Sequence, residues 1–297
     1  MPTGLLKTGQ TTSYVAGDDG AYQKGVARTF TTGGTSGFIW QRCSAGQNND
    51  ATCSGTAQTY NWADANSYCS TLGIGGRAWR LPTARELKSL VDYGKSASPA
   101  INLTIFNNTY FTQGTRYWTS NNLASNTTIS WGIDYFDGIL TFGSKSNNSY
   151  VKCISGTSES SSALTDNGNG TITDSQTGFI WQKCSRGLDT TTCSGNPFNF
   201  RLNWSDAVSY CENLSLGNRN DWRLPNVIEL WSITSLSSTS PAIDSSSFIN
   251  TYSGVFWSST TSHLDNNLAW YIDFTSGTVS YGGGKSANTL LRCVTGP

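Results

Sequence analysis

WRLPTARE, residues 79–86, is the stretch that decides the fold of this chain, and the related octet WRLPNVIE occupies residues 222–229. Proline has no backbone N–H and restricts the preceding residue to extended geometry, so an extended segment ends at Pro82. Thr83 and Glu86 have the spacing of a capping box, which predicts that a helix begins directly after the proline. The second octet repeats this geometry, so the same corner is predicted twice.

Working outward from these octets, the rest of the sequence also occurs twice. Further motifs recur at residues 37–41 and 178–182 (GFIWQ), at 61–62 and 203–204 (NW), and at the closing cysteines Cys153 and Cys293. The offset stays between 139 and 143 residues, which indicates a duplicated domain, because solenoid repeats have a much shorter period.

The repeat boundaries predict four segments. These are an extended N-terminal arm at 1–28, a first domain at 29–155, a flexible Ser-rich linker at 156–163 and a second domain at 164–297.

The composition is typical of a lightly charged, folded protein of about two domains. The 297 residues are 13% charged and 12% aromatic, and disordered chains are poor in aromatics. A formal net charge of zero argues against nucleic acid or an anionic membrane as the partner.

No apolar run approaches the roughly 18 residues of a transmembrane helix. No signal-peptide core is recognisable, so the start has the character of a mature chain.

The charge is divided unevenly between the halves. Residues 1–155 carry 12 Lys/Arg and 8 Asp/Glu, whereas residues 156–297 carry 7 and 11. The first half is therefore net +4 and the second −4, which favours head-to-tail contact between halves or between chains. Ordinary drift of surface charge explains the same numbers.

Each repeat predicts a strand, two helices and then several antiparallel strands. Asn61 is placed to cap a first helix on which Ala65 and Cys69 share an apolar face, and a second helix follows the proline corner. Strands punctuated by Gly, Asn and Ser come next, built around residues such as Trp118 and Trp131. This order indicates an α+β domain.

Residues 166–174, DNGNGTITD, fit two structures. Alternating polar positions that end in Asp suggest a calcium loop, but the acidic ligands that an EF-hand places at its third, fifth and twelfth positions are missing. Asn-Gly between Thr/Ile-rich flanks favours a hairpin turn.

The eight cysteines divide four and four at equivalent positions. Zinc sites usually need close C-x-x-C pairs, which are absent, so the set indicates disulfides and an oxidising compartment. Four bridges are considered: Cys43–Cys53, Cys69–Cys153, Cys184–Cys193 and Cys211–Cys293. The short ones close local loops, and the long ones join the first helix to the last strand. Sequence alone leaves three pairings open in each repeat.

The motif series G-F-I-W-Q, N-W-x-x-A, W-R-L-P-x-x-x-E-L, W-[ST]-S and [KR]-C-[IV] resembles the Lcl C-terminal domain family, here in tandem. That family is related to the C-type-lectin-like fold of formylglycine-generating-enzyme domains. The resemblance implies two tandem C-type-lectin-like domains, each with two helices around a small twisted antiparallel sheet. It also implies a disulfide from a helix to the last strand, which agrees with pairing Cys69 to Cys153 and Cys211 to Cys293.

The resemblance further implies an exported or surface-attached bacterial protein. The collagen-like adhesin that names the family binds sulfated glycosaminoglycans and forms trimers. This chain lacks the Gly-X-Y stalk and the E-P-N, Q-P-D and W-N-D motifs of calcium-dependent lectins, so neither trimerisation nor calcium-bridged sugar binding carries over. The first repeat also carries five basic residues that fit two interpretations, a basic face or an ordinary solvated helix face. They are Arg77, Arg85, Lys88, Lys95 and Arg116.

Catalytic patterns are weak, so no enzyme, metal or cofactor is predicted. His263 is the only histidine and lies in a Ser/Thr/Asn-rich stretch, where a loop contact is favoured over a general base. The carboxylates Glu86 and Glu229, and Asp134 and Asp273, recur in both repeats, which favours helix capping for Glu and a hydrogen-bonding or turn role for Asp. A glycosidase dyad is the alternative.

Binding is the better hypothesis, because the segments that precede the last strand differ between the repeats and are rich in Asn, Ser, Thr, Tyr and Gly, as paratopes are. The candidate ligand-binding residues are Asn121, Asn122, Asn126, Tyr135, Asp137, Lys145, Asn147 and Tyr150 in the first repeat, and His263, Asp265, Asn266, Tyr271, Tyr281, Lys285 and Asn288 in the second.

The sequence thus predicts a non-enzymatic, adhesin-like recognition module, secreted or on the bacterial cell surface. Its expected partner is a host or cell-surface glycan or protein. The alternative is a structural subunit that self-associates head-to-tail into a surface or filamentous assembly.

Overall fold

The computed structural model describes residues 38–48, 52–95, 97–106, 108–157 and 163–296. The predicted arm at 1–28 and residues 158–162 of the predicted linker lie outside the described residues. The chain divides into two compact units, Thr29–Glu159 and Ser160–Pro297, and each combines small helices with several sheets. The protein is therefore an α+β protein of two tandem domains.

The first domain has two short helices and seven strands among its described residues. They are β1 (Ile39–Trp40), β2 (Thr59–Tyr60), α1 (Trp62–Ser70), α2 (Ala84–Lys88), β3 (Tyr117–Leu123), β4 (Asn126–Ile133), β5 (Leu140–Ser144), β6 (Ser149–Tyr150) and β7 (Ile154–Ser155).

The main sheet of the first domain has the strand order β5-β4-β3-β6-β2. Trp131 on β4 pairs with Phe142 on β5, and Trp118 on β3 pairs with Gly132. One pairing departs from the antiparallel expectation, because β3 meets β6 in parallel through Tyr117 and Tyr150. The strands β1 and β7 form a separate antiparallel pair.

The second domain begins with a hairpin and then repeats most of the elements of the first, with the isolated bridges Leu202–Thr289 and Phe256–Leu290 where the first domain has β2 and β6. Its elements are β8 (Leu164–Asp166), β9 (Thr171–Asp174), β10 (Ile180–Gln182), α3 (Trp204–Glu212), α4 (Val227–Ser232), β11 (Val255–Thr261), β12 (Leu268–Asp273), β13 (Thr278–Gly284) and β14 (Val294–Thr295). One sheet has the order β11-β12-β13 and the other β14-β10-β9-β8.

The hairpin of β8 and β9 confirms the turn interpretation of residues 166–174. Asp166 pairs with Ile172, and the Asp166 carboxylate accepts the Gly168 N–H at 3.0 Å. Gly168 and Gly170 both have positive φ, which glycine adopts without steric cost.

Both predicted capping boxes are present. Thr83 Oγ1 accepts the Glu86 N–H, and the Glu86 carboxylate accepts the Thr83 N–H at 2.7 Å. Asn226 and Glu229 form the same reciprocal pair at the start of α4. Asn61 caps α1 through the Asp64 N–H, as predicted.

The octets also anchor the corner to the end of each domain. Arg80 and Ile154 exchange backbone hydrogen bonds at 2.9 Å, as Arg223 and Val294 do in the second domain. The guanidinium of Arg80 then binds the Glu86 carboxylate through both of its terminal nitrogens. The helix start, the arginine and the last strand therefore form one unit.

The four predicted disulfides are confirmed. They are Cys43–Cys53, Cys69–Cys153, Cys184–Cys193 and Cys211–Cys293. The two long bridges lie inside the apolar cores, where Cys69 packs near Trp79 and Trp118, and Cys211 near Trp222. All four long-bridge sulfurs are fully buried, so these bridges belong to the cores themselves.

A buried cation precedes the last cysteine in each domain. Lys152 Nζ donates to Arg42 O at 2.7 Å and lies 5.0 Å from the centre of the Phe106 ring. In the second domain, Arg292 donates to Gln182 O and to Thr251 Oγ1, both at 2.7 Å. Both side chains are fully buried, so each cation ties the last strand to the segment before the short disulfide.

Lys152 gives the first domain a specific pH dependence. Burial lowers its pKa from 10.5 to about 7, so between these values the unfolded chain binds more protons than the native one. The stability that Lys152 contributes is therefore full above about pH 10 and is lost as the pH falls through 7. From pH 7 to 9 the first domain is expected to gain about 2 kcal/mol from this residue, measured by native-state hydrogen exchange.

Lys152→Met is expected to lower the slope of the free energy of unfolding against pH by the contribution of about one proton. The variant is expected to destabilise the domain by no more than about 1 kcal/mol at pH 7. Burial also lowers the pKa of Lys88, so the pH dependence that Lys88 contributes remains in the variant. The second domain is the internal control between pH 7 and 8, because burial lowers the pKa of Arg292 only to about 9 and its guanidinium stays mostly charged in that range. An unchanged slope in the variant contradicts the assignment.

The structure corrects the proposed basic face at Lys88. This side chain is 3% exposed; its Nζ donates to Tyr93 Oη and lies 4.4 Å from the centre of that ring. The Tyr93 hydroxyl in turn donates to Gly138 O at 3.2 Å. The periodicity of a five-residue helix is too short to show which lysine points inward, so the sequence alone misplaced it.

Candidate functional site

The first domain brings several predicted binding residues to one end of its main sheet. We call residues 122–128 and 144–148 the first loop end. The Lys145 N–H donates to Thr128 O at 2.9 Å, which joins the two segments. Asn122, Asn126 and Asn147 are exposed around this junction. The structure therefore places four of the predicted residues side by side.

The second domain builds a similar end from residues 261–268 and 284–288, the second loop end. The Lys285 N–H donates to Asn267 O at 2.8 Å, and Lys285 Nζ donates to Thr261 Oγ1 at 2.7 Å. Asp265, Asn266 and Asn288 are exposed here, and His263 is half-buried. All five predicted residues of these segments thus lie at one end of the domain.

A lysine held over a tryptophan is common to both loop ends. Lys145 Nζ lies 3.9 Å from the centre of the Trp62 ring, and Lys285 Nζ lies 3.9 Å from that of Trp204. The backbone carbonyls of the same lysines accept the N–H of these tryptophans at 3.0 and 2.9 Å. The ammonium group of a half-buried lysine is thereby fixed at the start of α1 and of α3.

Two predicted residues have structural roles. Asn121 Oδ1 accepts the Ala84 N–H at 2.7 Å and so satisfies the first turn of α2. Tyr150 stacks on Tyr110 with ring centres 4.6 Å apart and also contacts Tyr117. Both positions remain part-exposed, but their contacts support the scaffold.

Tyr135 and Asp137 were wrongly predicted to face a ligand. Tyr135 is 1% exposed and Asp137 is 3% exposed. The Tyr135 hydroxyl donates to Leu87 O, and an Asp137 carboxylate oxygen accepts the Ile139 N–H. Both lie in the β4–β5 turn, whereas the first loop end contains the other ends of these strands. An antiparallel hairpin separates such positions by its full length.

Tyr271 and Tyr281 lie along the strands of the second domain, away from its loop end. Tyr271 pairs with Ser280 in mid-sheet and packs against the core. The Tyr281 ring meets Trp270 edge-on with centres 5.0 Å apart. Both are half-buried and belong to strands β12 and β13, whereas His263 and Lys285 belong to the second loop end.

The repeated carboxylates have structural partners. Glu86 and Glu229 bind arginines and helix N–H groups, and Asp273 accepts the Thr275 N–H in a turn. Asp134 accepts the N–H of Phe136 and of Gly114, while burial raises its pKa to about 6. The predicted capping and turn roles are confirmed, and the non-enzymatic character of the chain stays a prediction.

A partly exposed group of rings and guanidinium groups in the second domain was not predicted from the sequence, and we call it the aromatic–arginine cluster. It comprises Arg186, Phe198, Phe200, Arg201, Tyr210 and Tyr252. Phe198 and Phe200 lie in the 3₁₀ segment Pro197–Phe200. The sequence contained one indication of this cluster, a two-residue insertion before the first helix of the second repeat. Nine residues separate Cys193 from Asn203, but only seven separate Cys53 from Asn61.

No three His, Cys, Asp or Glu side chains come together as a metal-ion site within the described ranges. In the same part of the chain, no helix has the length and apolar character needed to span a bilayer.

Comparison with known proteins gives one result. The model of a family described as the Lcl C-terminal domain matches residues 30–155 and again residues 170–295, well over half of the sequence. Neither the curated proteins nor the solved structures contain a match.

Proposed function

Because this chain belongs to the Lcl C-terminal domain family and carries two copies of the domain, we propose that it is a non-enzymatic, adhesin-like recognition protein. Its ligand is a glycan or protein on a host or cell surface. The observation that carries the proposal is the pair of loop ends, where each domain presents amide side chains around a lysine fixed over a tryptophan. Fixed donors and acceptors bind polar ligands at low entropic cost.

The proposed location is outside the cell, secreted or on the bacterial surface. All eight cysteines are paired in disulfides, and such bridges persist in oxidising compartments. For the fold, we propose a C-type-lectin-like domain in each copy. Its support is the bridge from the first helix to the segment just before the last strand, Cys69–Cys153 in the first domain.

The loop ends give a direct test on arrays of glycans and matrix proteins. The wild type is expected to bind one class on the array. Lys145→Ala with Lys285→Ala is expected to weaken that binding about tenfold or more, because hydrogen bonds from a charged donor contribute about 1.5–3 kcal/mol. Arg77→Ala is the control, since it removes an exposed charge beyond the other end of α1.

Wild-type protein that binds nothing on either array overturns the proposal, and so does an equal loss in the Arg77→Ala control. Hydrolysis of a glycan on the array would show that the chain is an enzyme and would also overturn the proposal.

The charge difference between the halves supports a second candidate, a structural subunit that packs head-to-tail. Light scattering across a salt series separates the two. Large particles that dissociate as salt is added favour assembly, and a monomer at all salt concentrations favours the recognition module.

A further inference from the structure

The aromatic–arginine cluster exposes more ring surface than its surroundings. Phe200 is 42% exposed and Tyr252 is 44% exposed. Phe198 is half-buried and meets Tyr252 nearly at right angles, at 77° with ring centres 4.4 Å apart. Two rings at a right angle form an open corner rather than a flat platform.

Both arginines of the cluster are fixed by the aromatic segment. Arg186 lies with its guanidinium carbon 4.9 Å from the centre of the Tyr210 ring and 5.8 Å from that of Phe200, and it donates to Phe200 O. Arg201 lies 5.2 Å from the centre of the Phe198 ring and donates to Phe198 O at 3.1 Å. These bonds use only part of the five donors of each guanidinium.

Neither arginine has a carboxylate partner in the part of the chain that the structure describes. Arg80, Lys183, Arg219 and Arg223, in contrast, each pair with a carboxylate. This is notable in the half that carries the net charge of −4. Two positive groups are therefore presented beside exposed rings without internal neutralisation.

The local backbone holds the cluster in place. The Cys184–Cys193 bridge closes the loop that carries Arg186, and Asn250 donates to Thr192 O from the segment before Tyr252. Gly187 has φ of +84°, and a Cβ there would lie 2.1 Å from the Phe200 ring. Only glycine permits this ring to lie against the loop.

Two rings of the cluster, Tyr210 and Tyr252, have counterparts in Tyr68 and Tyr110 of the first domain, but its arginines have none. Counted from the first cysteine of each repeat, the position of Arg186 is occupied by the fully buried Ala45. The two additional residues before Asn203 are also absent there. The cluster is thus a specialisation of the second copy.

We propose that the aromatic–arginine cluster is a docking site for a protein partner that presents a carboxylate beside an apolar side chain. The carboxylate pairs with the guanidinium of Arg201 or Arg186, and the apolar side chain enters the corner between Phe198 and Tyr252. Aromatic residues and arginine supply most of the energy at protein interfaces. A flat sugar ring fits a right-angled corner poorly, which favours a peptide. The site is separate from the two loop ends.

The test is selection of a random 12-residue peptide display library on the intact wild-type chain. Enriched peptides are expected to contain Asp or Glu next to an apolar residue. The best synthetic peptide, measured by fluorescence polarisation, is expected to bind at least tenfold more weakly to Tyr252→Ala and to Arg201→Ala. Replacing its acidic residue by Asn should have a similar effect. Tyr110→Ala, an exposed tyrosine of the first domain, is the matched control and should leave binding unchanged.

Three results overturn the proposal: no enrichment, enriched peptides without acidic residues, or binding that Tyr252→Ala and Arg201→Ala leave unchanged. Dextran sulfate is measured in parallel. If the two variants abolish its binding but not that of any peptide, the occupant is an anionic polysaccharide and the protein-partner proposal is wrong. Arg186 and Arg201 do not belong to the loop ends, so failure of this site leaves the function proposed above intact.

Discussion

Glu229→Ala is expected to destabilise the second domain by about 3–5 kcal/mol. Arg223 NH1 lies 2.5 Å from Glu229 Oε2, and NH2 lies 3.0 Å from Oε1, in a bidentate pair. The two side chains are 8% and 4% exposed. Removing the carboxylate leaves a guanidinium in the interior without its counter-charge, and it also removes the cap on the Asn226 N–H. Native-state hydrogen exchange on peptides from each domain measures the change.

Glu86→Ala in the first domain is the matched control. It removes the same capping bond and the same bidentate pair, but the Arg80 side chain is 32% exposed. Water can solvate the remaining guanidinium, so the expected cost is about 1–2 kcal/mol, mainly from the lost cap. Equal costs in the two domains contradict the argument, because it attributes the difference to burial of the arginine.

Replacing Cys211 and Cys293 together by alanine is expected to cost the second domain about 4–5 kcal/mol. The bridge spans 82 residues, and closing a loop of this length restricts the unfolded chain strongly. Both cysteines are fully buried in the core beside Trp222 and Leu224, so the packing of the domain depends on the bridge as well. Hydrogen exchange under mild denaturant measures the loss, with the first domain of the same molecule as reference.

The short bridge provides the control for loop length. Cys184 and Cys193 are 9 residues apart, so their replacement by alanine is expected to cost only about 2.5–3 kcal/mol. A larger loss from the short bridge than from the long one contradicts the loop-length argument and shifts the explanation to local packing.

The local structure of the corner was predictable because short-range chemistry decides it. Thr83, Pro82 and Glu86 specify an extended segment, a cap and a helix within a few residues, and these elements are present. The hairpin at residues 166–174 follows in the same way from Asn-Gly and its flanks. The cysteine pairing needed more, since three pairings per repeat satisfied the sequence.

The candidate site was predictable only in part. Composition identified the loop segments, and the strand order then brought Thr128 and Lys145 together. Composition did not show that Tyr135 and Asp137 are buried, because turn residues and binding-loop residues have the same polar and aromatic character. The aromatic–arginine cluster depends on contacts between segments far apart in the chain, such as Arg186 with Tyr210.

The sequence by itself determined that the chain is a duplicated α+β domain, where each helix begins, and that the cysteines serve each copy separately. These features depend on residues close in the chain or on the comparison of one copy with the other. Only the tertiary structure decided that Arg223 is buried with Glu229 while Arg80 remains partly in water, that Lys88 and Lys152 lie inside, and which rings reach the surface. The burial of a side chain depends on what distant segments pack against it, and that information is not local.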